Sequence, residues 1–262
     1  MGQEADRAAP GAVRALLVED NPFSQDIGQR LLAKLGCHVD VASSGLEAVD
    51  LTGRNPYDIV FLDCELPAMD GFQTAAELRR RENGGPRRPI VGVTGHSTPE
   101  DRERCLAAGM DDYLAKPVSL EAFRQQLARW TGAVPADSGG AAPERDDDGT
   151  LDRARLRALA RLPGGQEAVA RLAERLFECA TADLVRIRAA VEQQDAGQLR
   201  EAAHGLRGAC LNMGVVALAG VLEQIEHLAA EGDLVTSAPL VAGLDERLAQ
   251  ARESVKQFLA RV

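Results

Sequence analysis

The sequence predicts two domains of different class: a doubly wound, five-stranded parallel α/β sheet over residues 12–131 and an all-α helical bundle over residues 151–262. Three observations carry this. In the first part, short apolar runs alternate with amphipathic stretches, and parallel strands need helical crossovers of that kind. In the last part no strand-like run occurs, and apolar residues recur every three or four positions. Between them, residues 132–150 are Gly, Pro, Ala and acid without periodicity, which reads as a flexible linker.

Residues 13–18 form the first buried strand. It ends in Glu19-Asp20-Asn21-Pro22, a loop after which Ser24 is placed to cap a helix carrying Ile27, Leu31, Leu32 and Leu35 and stopping at Gly36. Residues 38–42 are the second strand, and 45–52 a helix with Leu46, Val49 and Leu51 as its apolar positions. Residues 59–62 run straight into Asp63; four apolar residues without polar alternation suit a strand buried on both faces. Pro67 and Asp70-Gly71 turn the chain sharply, and a helix follows over 72–81. Residues 90–93 lead to Thr94, a helix over 99–108 stops at Gly109, residues 112–115 precede Lys116-Pro117, and a last helix covers 120–130.

In the second domain, helices are expected over 152–162, broken by Pro163-Gly-Gly, and over 166–193. Asp195, with Gln198 three residues on, resembles a capping box at the head of a helix over 196–213. Helices over 215–231 and 239–259 complete an antiparallel bundle with short connections.

Charge is uneven. Residues 1–150 hold 25 acids and 16 bases, whereas 151–262 hold 15 and 14. Neither half offers a basic surface that would neutralise phosphates, which argues against direct nucleic-acid binding. The five cysteines are scattered without CxxC or metal-ligand spacing, as expected of reduced thiols used as small apolar residues. The leader lacks the apolar core of a signal peptide, and no stretch approaches the roughly 18 apolar residues of a membrane span. The expectation is a soluble cytoplasmic protein.

The polar groups at the strand ends converge. Glu19 and Asp20 follow the first strand, Asp63 the third, Thr94 the fourth and Lys116 the fifth, all at carboxyl ends on one sheet edge, where open α/β sheets bind ligands. Crowded carboxylates stay ionised only with a positive partner, and oxygen-only ligands select a hard cation such as Mg²⁺. Asp63 then serves as a carboxylate nucleophile toward phosphorus. Lys116 supplies a point charge for the transferring group and Thr94 a hydrogen bond. The chain has only three lysines, Lys34, Lys116 and Lys256, so a lysine at this edge is notable.

These residues, with the run Asp63 to Gly71 and the stretch Gly109-Met-Asp-Asp-Tyr113, resemble a response-regulator receiver domain of flavodoxin-like fold. The resemblance implies Asp63 as phosphoacceptor and Mg²⁺ on Asp20, Asp63 and the backbone carbonyl of Glu65, with Glu19 acting through water. It also implies Thr94 and Tyr113 as the switch pair. Gly95 stands where the family commonly has Ala, and Leu66 where it has Met; neither change removes a catalytic group. Glu65 and His96 flank the site and are candidates to tune phosphoryl lifetime.

On the helix 196–213, Leu199, Ala203, Leu206, Cys210 and Met213 fall on one stripe at about 100° per residue, and His204 lies about 140° away. Gly205 and Gly208 stand mid-helix at about 1 kcal/mol each relative to Ala, and Arg207 brings positive charge. An exposed imidazole beside a cation and bare backbone suits reversible phosphoryl transfer. The stretch Ala203-His204-Gly-Leu-Arg207-Gly208 is similar to the phosphoacceptor motif of histidine-containing phosphotransfer (HPt) domains, four-helix bundles that usually have Lys at the Arg207 position. This implies His204 as acceptor; His38, His96 and His227 have no such setting.

The reading is a two-component phosphorelay intermediate rather than a turnover enzyme. A sensor or hybrid histidine kinase donates to Asp63, and His204 exchanges the group with the receiver of a downstream response regulator. The rival is a phosphorylation-switched binding module or phosphate sink. A third possibility, the tail of a larger hybrid kinase, is argued against by the starting Met and the leader. The sequence shows no Gly-rich ATP-binding stretch and no recognisable DNA-binding module.

Overall fold

The computed structural model describes residues 12–82, 85, 87–95, 99–132 and 149–261. Most of the expected linker, the leader and His96 lie outside these. The chain divides into two units, Met1–Gly139 and Gly140–Val262, taken one at a time.

In the first unit β1 (Arg14–Val18), β2 (His38–Ala42), β3 (Ile59–Asp63), β4 (Ile90–Thr94) and β5 (Asp112–Ala115) form one parallel sheet in the order β2-β1-β3-β4-β5. Its helices are α1 (Pro22–Lys34), α2 (Gly45–Arg54), α3 (Gly71–Arg81), α4 (Pro99–Ala107) and α5 (Leu120–Thr131). Every residue of β3 and β4 is buried. On one face Val60 and Leu62 pack with Ala48 of α2, Ala75 of α3 and Cys105 of α4; on the other, Phe61 meets Phe123 of α5 edge-on at 4.8 Å. Covered on both sides, these strands have no use for alternation, which is why they read as continuous apolar runs.

The register aligns Val18 with Leu62, Asp63 with Val93 and Thr94 with Ala115. The carboxyl ends of β1, β3, β4 and β5 are therefore level, and the direction of winding reverses at β1, between β2 and β3. The opposite edge is tied by Arg79. Its guanidinium reaches the carbonyls of Gly109 and Arg88 at 2.7 Å each, Glu82 at 2.7 Å and Asp111 at 2.5 Å. It so joins the end of α3 to the segments that enter β4 and β5.

Two local expectations change. Ser24 does not cap α1; it lies buried in the first turn, and Asn21 Oδ1 accepts the N–H groups of Phe23 and Ser24 at 3.0 and 3.1 Å. Asn21 precedes Pro22, whose missing N–H is no loss at a first helical position. Leu46 is exposed, at 68%, and Ala48 faces the core in its place, while Val49 is buried as expected.

The second unit contains α6 (Arg153–Ala160), α7 (Gly165–Glu192), α8 (Ala196–Met213), α9 (Val216–Ala230), α10 (Leu234–Ala242) and α11 (Leu244–Leu259). α8 packs against both α7 and α9, and α11 against the same two, which makes the four long helices a bundle. The five stripe residues of α8 are all buried, but so are Ala202, Ala209 and Asn212, because the helix has neighbours on two sides. Only half of the capping box forms: Asp195 accepts the Gln198 N–H, while the Gln198 amide turns to the Asp195 carboxylate rather than to backbone. The single last helix expected over 239–259 is two. Asp233 caps a helix that already contains Pro239, and Gly243 separates it from α11. Leu240 and Leu244 keep helical spacing across the joint, so periodicity alone joins them. No helix among the described residues is long and apolar enough to cross a membrane.

Candidate functional site

At the carboxyl edge of the sheet, Asp63 closes β3 and is 2% exposed. Its two oxygens have different partners. Oδ2 accepts from Lys116 Nζ at 2.5 Å, and Oδ1 accepts the backbone N–H of Glu65 at 3.0 Å. Lys116 Nζ also lies 3.3 Å from Glu19 Oε2. Lys116 is set in place by the sheet itself: its N–H donates to the carbonyl of Thr94 at 2.7 Å, continuing the β4–β5 ladder by one residue. Glu19 is likewise held by its backbone, whose carbonyl accepts from Gln25 Nε2 at 2.6 Å.

Burial pushes the Glu19 carboxyl up from 4.5 to about 8; Lys116 opposes this, while Asp63 and Asp20 add to it. The same burial acts against the Lys116 ammonium, but Asp63, Glu19 and Asp20 outweigh it and its pKa is raised. The two shifts describe one balance: a single buried cation facing more acid than it can neutralise. Oxygens of Glu19, Asp20 and Asp63 come within 4.8 Å of one another, a donor set of carboxylates that fits a hard divalent cation.

Of the other expected residues, Thr94 ends β4 and is buried. Tyr113 lies on β5 opposite Gly92, packed against the cluster that holds Leu62 and Met110. One participant was read from the sequence only as part of a turn. Gly71 donates its N–H to the carbonyl of Cys64 at 3.0 Å, and a Cβ there would lie 2.1 Å from the carbonyl oxygen of Asp63. The start of α3 thus presses directly on the strand end that carries Asp63.

In the second unit His204 stands on α8 with Nδ1 2.9 Å from Glu226 Oε1 of α9. Arg207, one turn on, is buried and directed at the same helix: Nη1 donates to Glu226 Oε2 at 3.1 Å and Nη2 to Glu223 Oε1 at 3.2 Å. Its charge is engaged by α9, where it shares the Glu226 carboxylate with the imidazole; the imidazole itself is not exposed as expected, its side chain being 11% exposed because α9 packs Glu226 against it. A Cβ added at Gly208 would meet nothing within 4 Å, so packing does not demand the glycine. Glu226 was missed. The signal was available: it lies among Leu222, Ile225 and Ala229, and a carboxylate within a buried stripe needs a partner.

Residues 15–128 match the family model of the response regulator receiver domain, and residues 171–254 that of the Hpt domain. The sensor histidine kinase GacS of Pseudomonas protegens is 32% identical over 243 residues, which is 90% of this chain and 26% of that protein. The signal transduction histidine-protein kinase BarA of Escherichia coli is 30% identical over 258 residues, 94% of this chain and 27% of that protein. The chain spans about a quarter of the length of these curated relatives. Among solved structures, the receiver domain of a Pseudomonas aeruginosa sensor histidine kinase, with a magnesium ion in its active site cleft, is 42% identical. That match covers 47% of this chain and 99% of the other, with a TM-score of 0.43.

Proposed function

Because this chain joins a response regulator receiver domain to an Hpt domain, the pair that works in two-component phosphorelay, we propose that Asp63 and His204 are its two phosphoacceptors. The observation that carries the reading is the contact of Lys116 with a buried Asp63 at the sheet edge. The donor is a phosphohistidine of a sensor or hybrid histidine kinase. Its nitrogen–phosphorus bond breaks as a bond forms from an Asp63 oxygen to phosphorus. Lys116 meets the charge on the transferring group, and the Glu65 N–H fixes the carboxylate. At His204, Nδ1–H donates to Glu226, which leaves Nε2 as the attacking nitrogen and sets a carboxylate against the charge that grows on the ring. Arg207 orients Glu226. His204 exchanges its phosphoryl group with the receiver of a downstream response regulator. Thr94 and Tyr113 are the pair that responds when Asp63 is modified.

The carboxylates of Asp20 and Asp63, with the carbonyl of Glu65, would hold Mg²⁺, with Glu19 acting through water, and the cation would supply charge that neutralises the acids and the phosphoryl oxygens. A test follows from Glu19. Its folded-state pKa is raised, so the stability it contributes is fully present below about 4.5 and is lost as pH rises through about 8. Near neutrality the cation-free site keeps a proton there, and a cation beside Glu19 expels it. Calorimetric titration with Mg²⁺ at neutral pH shows proton release, read as a heat that changes with the buffer's ionisation enthalpy, and the apparent affinity rises toward pH 8. Heats that do not depend on the buffer would contradict this.

The relay is tested by loading the chain from acetyl phosphate or a cognate kinase and comparing wild type with Asp63→Asn and His204→Gln. Base-labile label disappears with Asp63→Asn and acid-labile label with His204→Gln. A downstream receiver labelled equally well without His204 sinks the relay and leaves a binding switch. Glu226→Gln keeps the shape but loses the charge, and transfer through His204 slows about ten-fold, as when an imidazole loses its orienting carboxylate; an unchanged rate would reduce Glu226 to packing. The five cysteines are unbridged, in keeping with a cytoplasmic location.

A further inference from the structure

The cysteines look scattered in the sequence, but the fold brings two of them together beside Asp63. Cys64 directly follows β3, Cys105 lies on α4, and their sulfurs are 3.7 Å apart although 41 residues separate them. Both are buried, at 2% and 1% exposure. The meeting depends on Gly92 of β4. A Cβ there would stand 3.2 Å from the Cys105 sulfur, 3.3 Å from the Cys64 sulfur and 2.6 Å from the Met110 sulfur, so the missing side chain leaves the room in which the thiols touch.

We propose that Cys64 and Cys105 are a dithiol modification site, which a small peroxide oxidant closes into a disulfide that slows phosphoryl acceptance at Asp63. The chemistry balances with one peroxide. One cysteine gives up its thiol proton and its thiolate attacks a peroxide oxygen; the O–O bond breaks, a sulfenic acid forms, and the other oxygen leaves as hydroxide, which takes up that proton to become water. The second sulfur displaces the sulfenic oxygen as a second water, and the S–S bond forms. The two sulfurs together give up two electrons to the peroxide. Burial admits only a small oxidant, and contact with a second thiol lets the bridge form before further oxidation.

Closure draws the sulfurs from 3.7 Å to about 2 Å. The main chain of Cys64 has little freedom to follow. Its N–H donates to Val93 of β4 at 2.9 Å, and its carbonyl accepts from Gly71 of α3 at 3.0 Å. The displacement falls on its neighbours Asp63 and Glu65, whose mutual hydrogen bond fixes the carboxylate. A shift near 1 Å in a reacting group is enough to slow a reaction by one or two orders of magnitude. This consequence rests on Asp63 as phosphoacceptor; the bridge itself does not.

The test uses the full chain and hydrogen peroxide. Denatured thiol titration falls from five to three per chain, and non-reducing digestion with mass spectrometry yields a Cys64–Cys105 linked peptide that dithiothreitol dissolves. Labelling from acetyl phosphate is about ten-fold slower after oxidation, recovers on reduction, and is insensitive to peroxide in Cys105→Ala. Thiol loss at Cys37 or Cys179 without the linked peptide overturns the site. A linked peptide with labelling unchanged overturns the coupling to Asp63. A reduced chain that takes no label at Asp63 overturns the phosphoacceptor reading instead, while the peptide still decides the bridge.

Discussion

Lys116→Met lowers phosphoryl acceptance at Asp63 by about 10²–10³-fold, the usual loss when one preorganised charge partner of a reacting group is removed. The same change destabilises the first unit. Lys116 Nζ sits 2.5 Å from Asp63 and 3.3 Å from Glu19, and removing it leaves two buried acids without that cation. Breaking a buried pair by deleting one partner costs about 3–5 kcal/mol. The lower end applies here, because Glu19 already keeps its proton up to about 8 and so loses less than a fixed charge would. Urea unfolding without divalent cation reads the stability loss, and added Mg²⁺ recovers part of it. Lys116→Arg does not restore acceptance, since a planar fork does not replace a compact ammonium wedged between two carboxylates. An unchanged unfolding midpoint together with wild-type labelling would remove Lys116 from the site.

Gly71→Ala has the second large effect, for a steric reason. The new Cβ would lie 2.1 Å from the Asp63 carbonyl oxygen, 2.7 Å from the Cys64 Cα and 2.9 Å from the Asp63 carbonyl carbon, all of them backbone atoms. No rotamer relieves such a contact; either α3 or the end of β3 moves. The expected loss is about 3 kcal/mol, at the upper end of overpacking effects, with labelling reduced about 10²-fold because the displaced element carries Asp63. Gly53→Ala is the control. That position lies in α2 with nothing within 4 Å, and Ala there stabilises by up to about 1 kcal/mol. If both variants unfold at the wild-type midpoint, the close approach at Gly71 is not real.

The two sites differ in how far the sequence discloses them. The sheet edge is legible because four of the five strands, β1, β3, β4 and β5, end in or run into a candidate residue, so local pattern and topology report the same thing. Asp63 and Lys116 need only the rule that parallel strands end together. The geometry around His204 is less legible because it is made between helices. His204 and Arg207 are neighbours by spacing, but their common partner Glu226 is reached only once α8 and α9 are packed. Asn21 displaced Ser24 as cap because both are good capping residues and only the backbone decides between them. Gly243 is hidden by a periodicity that runs through it. Contact between Cys64 and Cys105 is invisible for a similar reason: it needs an empty place on β4, and a glycine inside a strand announces only that something comes close.

The Arg79 knot at the far edge of the sheet bears on how this domain tolerates change. Its guanidinium gathers α3 and the approaches to β4 and β5 at the end opposite Asp63. Rigidity is thereby anchored at one rim and reactivity displayed at the other. Exposed side chains at the rim that carries Asp63 can change without loosening the fold, whereas a change at Arg79 would be felt first as lost protein.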